Sequence, residues 1–156
     1  MEQIHISTIV HAPIQIVWAS YTEPQHIMQW NQASPDWHCP AASNDLRVGG
    51  KLVSTMAAKD GSFQFDFEGI YDEIVELALI RYHLADGRRV RVTFSAVADG
   101  VEVTTSFDPE SENPLDMQQA GWQAILDSFK QHTESLYSIK HKFTHYDTTC
   151  SNLFMV

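Results

Sequence analysis

The amino-acid sequence predicts one α+β domain, a curved antiparallel sheet of about six strands wrapped around a long C-terminal helix. Three observations carry that expectation. Between residues 50 and 107 apolar side chains recur with period two, interrupted by short turn pairs. One further alternating segment and two short segments of helical spacing precede this run. A single long segment of helical spacing follows it, and no other element is long enough to cover the apolar face of so many strands.

The elements follow in order. Ile4, Ile6, Thr8 and Val10 share one parity, so residues 3–11 read as a strand. Pro13 suits a helix start, and Ile14, Val17, Trp18 and Tyr21 recur at helical spacing. Thr22 and Pro24 open a second short helix carrying Ile27, Met28 and Trp30. Residues 31–45, with Pro35, Pro40 and several Ser and Asn, read as an irregular loop that could act as a lid. Residues 50–58 form a strand, turned by Lys59-Asp60-Gly61-Ser62 into a partner whose Phe63, Phe65 and Phe67 share one face. Beyond Gly69 the apolar parity moves to Ile70 and Ile74, which predicts a bulge or bend at that glycine. Three further strands carry Ile80, Tyr82 and Leu84, then Val90, Val92 and Phe94, then Val101, Val103 and Phe107, joined at Asp86-Gly87 and Asp99-Gly100. Asn113-Pro114 starts the last helix, with Met117, Gly121, Trp122, Ile125, Leu126 and Phe129 as its apolar stripe.

Composition narrows the function. The net charge of −10 disfavours nucleic acid and anionic membranes as partners, and Arg88 to Arg91 reads as the solvated face of a strand. No apolar run approaches the length of a membrane span, two cysteines make no disulfide framework, and no secretory leader follows Met1-Glu2. The expected setting is soluble, reducing and cytoplasmic. The domain is expected over residues 1–135, with a tail over 136–156. The tail's apolar end, Leu153 to Val156, reads either as a loose terminus or as a contact between two copies in a homodimer.

Ala12-Pro13, Val17-Trp18, Pro24 with His26, Trp30, Asp45 to Gly50, Asp60-Gly61, Phe67-Glu68-Gly69 through Tyr71, Thr93-Phe94 and Gly121-Trp122 occur in an order that resembles a known family. The chain is similar to the START-like (SRPBCC) superfamily of helix-grip proteins, which includes the birch-pollen-allergen and polyketide-cyclase types. Its resemblance is greatest to the branch of homologues of the activator of the heat-shock-protein-90 ATPase. Two features depart from that branch: the chain continues some twenty residues past the usual end, and Asn31 stands where a second tryptophan is common.

The resemblance implies a cavity between sheet and long helix that binds a small hydrophobic or amphipathic molecule, lipids included. Periodicity alone fits a lined cavity and a filled core equally well. The candidate cavity residues are Trp30, Trp37, His38, Arg47, Met56, Phe65, Phe67, Tyr82, Phe94, Phe107, Met117 and Trp122, with Tyr82, Arg47 and His38 as polar anchors. Arg47 could instead tie down its loop through Asp36 or Asp45.

Catalytic groups are harder to find. His26, Asp36, His38 and Cys39 lie close in sequence, without the fixed spacing of a zinc site, and His141 with His145 read as surface residues beside Asp147 and Cys150. Asp66 and Glu68 share the face opposite the phenylalanines and should point to water. Gly49-Gly50 is a strand corner, since no helix follows it to receive a phosphate. The expectation is therefore binding without catalysis, cofactor or metal. A cyclase- or hydrolase-like enzyme using Tyr82, His38 or Asp36 is the alternative, and a chaperone-activator role, implied by the resemblance alone, is the third.

Overall fold

A computed structural model describes residues 2–155 of the protein, with side chains through residue 138. Seven strands form one antiparallel sheet: β1 (Ile4–Val10), β2 (Trp37–Asn44), β3 (Lys51–Ala58), β4 (Gln64–Val75), β5 (Leu79–Leu84), β6 (Arg89–Val97) and β7 (Gly100–Phe107). Helices α1 (Ile14–Thr22) and α2 (Pro24–Trp30) follow β1, and α3 (Leu115–Met155) ends the chain. The strand order is β1-β7-β6-β5-β4-β3-β2, so a meander is closed by the first strand returning to pair with the last. No helix among the described residues is long and apolar enough to cross a membrane.

Alternation places the core. Val90, Val92 and Phe94 on β6, and Val101, Val103 and Phe107 on β7, are all buried, facing α3 through Leu126 and Phe129. At one end the rings of Trp18, Tyr21, Trp30, Phe94 and Phe129 pack with centroids 5.2–5.5 Å apart, mostly edge to face. The outward faces of the neighbouring strands β4 and β5 carry polar pairs, including Arg81 with Glu73 at 2.7 Å and His83 with Asp72 at 2.8 Å.

The outer edge of β1 would be a template for aggregation if bare. Side chains of α3 cover it. Gln119 and Gln123 donate to the carbonyls of His5 and Ser7, Lys130 donates to that of Ile9, and Glu134 accepts the backbone N–H of His11. From Gln119 to Glu134 the helix advances about 22 Å and from His5 to His11 the strand about 20 Å, so the two ladders cover nearly the same length. The opposite edge is β2, against which α2 packs.

Two sequence expectations change here. Residues 37–44 are not part of a loop or lid: Trp37 to Asn44 pair with β3, and the register shifts between His38 and Ala41. Pro40 lies within that irregularity, where its missing N–H is tolerated at a sheet edge. The seventh strand was hidden because its small and proline residues make no apolar alternation. Nor is Gly69 the bulge, since the register of β4 breaks between Tyr71 and Glu73. Gly69 is instead a point of close approach, where a Cβ would sit 2.7 Å from the Tyr82 ring. Tyr71 consequently keeps the inward parity of Phe65 and Phe67. The sequence readings on His141, His145, Asp147, Cys150 and the apolar end concern side chains outside the described residues.

Between α2 and α3, Nδ1 of His26 lies 3.1 Å from Nε2 of His132, and Glu23 is 4.0 Å from the other His26 nitrogen. Burial, followed by the neighbouring His26, holds the His132 pKa below its ordinary value. The unfolded chain therefore binds a proton that the folded one resists, so acidification below about pH 6.5 favours unfolding, until the lowered folded pKa is passed. We expect the urea midpoint to fall between about pH 7.5 and about pH 5.5, and to fall less in His132→Gln. An equal fall in the two proteins would refute this assignment.

Candidate functional site

Between the aromatic cluster and strands β3 to β5 the interior leaves a cavity of about 250 Å3. Its sheet wall is built by Leu52 and Met56 of β3, Phe65 and Phe67 of β4, and Ile80 and Tyr82 of β5. Ile27 and Trp30 of α2, and Trp122, Ile125 and Phe129 of α3, form the other wall. Phe65 lines the cavity while remaining 44% exposed, so it marks the rim. The volume lies just below the roughly 300–1,000 Å3 usual for small-molecule sites.

Packing fixes this wall. Trp122 is stacked on Phe107 at 4.0 Å and meets Phe67 edge-on at 6.0 Å. Trp30 donates its indole N–H to the carbonyl of Ser20 at 2.8 Å, while the Ser20 hydroxyl bonds Thr133 of α3 at 2.8 Å. The two short helices are thereby held against the long one, and the rings facing the cavity have little freedom to collapse into it.

One end of the cavity is polar. Tyr71 donates to Oδ1 of Asn44 at 2.5 Å, and the Asn44 amide donates to the carbonyl of Thr22 at 2.6 Å, tying β4, β2 and α1 together. Tyr21 and Tyr82 line the same space, and neither hydroxyl has a hydrogen-bond partner among the described residues. Burial pushes the Tyr71 hydroxyl up to about 12, against a smaller downward pull from Asn44. Burial, then the neighbouring tyrosines, also raises Tyr21 and Tyr82. All three are neutral donors near neutral pH. No Asp, Glu, Lys, Arg or His lies among the lining residues.

Hydroxyl removal should separate these tyrosines. Tyr71→Phe removes the donor to Oδ1 of the half-buried Asn44, and we expect it to lower stability by about 1–2 kcal/mol. Tyr82→Phe removes a hydroxyl with no partner and should change stability by less than about 0.5 kcal/mol. Urea unfolding of the two variants checks both; equal losses would contradict the bonding pattern.

Six of the residues singled out from sequence, Trp30, Met56, Phe65, Phe67, Tyr82 and Trp122, are brought together on the cavity wall. The other six stand elsewhere. Trp37 packs against Phe63 and Phe65, with centroids 6.2 Å away in each case, just outside the rim. His38 pairs with Ala57 on the edge ladder, next to the buried Cys39, and alternation turns it away from the core face. Arg47 faces solvent, its Nε 2.9 Å from Asp45, so it ties down its own turn and anchors nothing in the cavity. Phe94 is buried against Trp18 and Tyr21, and Phe107 is buried behind Trp122. Met117 is 60% exposed, because its neighbour Gln118 takes the inward position and binds the carbonyls of Glu110 and Asn113.

Sequence reasoning missed the polar end, made by Tyr21, Asn44 and Tyr71, together with Ser54 and Thr105. Parity could have found Tyr71 once Gly69 was read as part of a regular strand. Among the described residues no group of three His, Cys, Asp or Glu side chains is placed to hold a metal, and Cys39 donates to the carbonyl of Ala41. Asp66 and Glu68 point outward as expected, toward Thr55 and Lys51.

Comparison with known proteins follows the same architecture. The family described as "Activator of Hsp90 ATPase homolog 1-like protein" matches residues 11–134. The chain belongs to this family. Its fold is of the START/SRPBCC type. An AHSA1-like protein from Aeromonas hydrophila, solved in solution, is 40% identical with a TM-score of 0.81, over 86% of this chain and 93% of that one. A protein from Cytophaga hutchinsonii is 51% identical with a TM-score of 0.75, over 89% and 95% of the two chains. A protein from Nitrosomonas europaea shares the fold at 16% identity, with a TM-score of 0.76 over 88% of this chain and 97% of that one. None of the curated proteins matches this chain.

Proposed function

We propose that this family member binds a small, mostly apolar molecule in the cavity between sheet and α3 and does not alter it chemically. The cavity itself carries the proposal. Protein interiors rarely leave voids larger than a water molecule, so an opening of about 250 Å3 held by interlocked aromatic rings is a feature the packing maintains. Filling it would remove apolar surface from water on both sides, at roughly 25 cal/mol per Å2. The lining supports binding over catalysis, because none of its side chains ordinarily titrates near neutral pH and its tyrosines hold their protons.

Native mass spectrometry of the purified protein, followed by denaturing extraction, tests this reading. A stoichiometric lipophilic mass, recovered unchanged, is the expected result. An unliganded mass that stays unshifted after incubation with sterols, fatty acids and small aromatic compounds would overturn it.

A further inference from the structure

We infer that the ligand of this cavity is uncharged and carries a hydrogen-bond acceptor, a carbonyl or comparable oxygen, that docks on the hydroxyl of Tyr82. This deepens the binding reading above and rests on it. The first ground is what the walls lack. A carboxylate, phosphate or ammonium group brought into this space would give up its hydration with no opposite charge among the lining residues to meet it.

The second ground is the arrangement of the hydroxyls. Tyr71 has committed its single proton to Asn44, and Asn44 has committed an amide proton to Thr22. Tyr82 is only 6% exposed, and its hydroxyl donates to nothing among the described residues. Yet no sealed side-chain nitrogen or oxygen among those residues lacks a partner. The Tyr82 oxygen is therefore reachable, and the space that reaches it is the cavity it lines. Tyr21 offers a second donor of the same kind, and the Thr105 hydroxyl, on a residue 3% exposed, lines the same space. Donors without a protein partner in an apolar pocket discriminate strongly, because an acceptor satisfies them while a hydrocarbon leaves them unpaired.

The experiment uses three probes of nearly one shape, ethylbenzene, acetophenone and benzoate, titrated into the full chain and into Tyr82→Phe and Tyr21→Phe by amide chemical shifts. We expect acetophenone to bind the wild type at least about tenfold tighter than benzoate. Tyr82→Phe should weaken acetophenone by about tenfold and should not weaken ethylbenzene. If Tyr82→Phe shifts both neutral probes equally or neither, or if benzoate binds tightest, the inference fails while the binding reading stands. If only Tyr21→Phe selectively weakens acetophenone, the assignment to Tyr82 is overturned. If no probe binds up to its solubility limit, the inference falls together with the binding reading.

Discussion

Phe129→Ala is expected to lower the unfolding free energy by about 3–5 kcal/mol, the range for truncating a fully buried aromatic ring. Phe129 has no exposed surface, and it meets Tyr21 and Trp30 edge-on with both centroids 5.2 Å away. It is one of the contacts by which α3 grips both short helices, at the aromatic end of the cavity. Its position sets the expected cost toward the upper end. A hole made in a solid core is partly closed by its neighbours, whereas this one opens directly into an existing void. Tyr21 and Trp30 cannot move in to fill it without disturbing Phe94 and the Ser20–Trp30 bond. Urea unfolding with an unchanged m-value is the measurement, and Phe129→Leu should recover a substantial part of the loss. A loss below about 1 kcal/mol would show that the ring is not a keystone of this wall. The same truncation enlarges the cavity, so a variant that stays folded should accept bulkier hydrocarbons than the wild type.

Strands β3 to β7 were legible because one face of each is buried, and burial writes period two into the sequence. The single long helix was legible for the matching reason, an apolar stripe at 3.6-residue spacing. Strand β2 was not, since an edge strand of Ala, Ser and Pro buries little and leaves no alternation to read. Within the site, parity named Phe65, Phe67, Tyr82 and Trp122 but equally named Phe94 and Phe107, which are packed solid. Periodicity tells which face a side chain is on; it does not tell whether the space above that face is filled. His38 and Arg47 were chosen for chemistry, and their backbone turned them outward. Asn44 and Tyr21 become cavity residues only when β2 and α1 meet β4, a long-range approach that no local pattern encodes.

Gly50→Ala should be the most damaging of the small substitutions, with an expected loss of about 4 kcal/mol or failure to fold. A Cβ at Gly50 would lie 2.0 Å from the carbonyl oxygen of Asp45 and 2.9 Å from that of Arg47. Both obstacles are backbone, so no rotamer change relieves the clash. The turn they belong to is closed on itself, with Arg47 N–H donating to Asp45, Gly50 N–H to Arg47, and Asp45 N–H to the carbonyl of Lys51. Gly49 sits at φ +82°, so the corner has little latitude to swing open. The damage would extend beyond the turn, because Gly49 donates to the carbonyl of Tyr71 and Tyr71 donates back to that of Gly50. Tyr71 is the residue whose hydroxyl fixes Asn44 at the polar end of the cavity. Displacing the corner therefore displaces the backbone of Tyr71 and loosens the tie between β4, β2 and α1. Gly49→Ala makes the informative comparison, since its Cβ meets nothing within 4 Å and strains only the local backbone. We expect it to cost about 1–2 kcal/mol and to leave ligand binding intact, whereas Gly50→Ala at a temperature where it remains folded should lose both stability and binding. Equal effects of the two substitutions would mean that backbone conformation, rather than the approach of Asp45, is what the glycine pair serves.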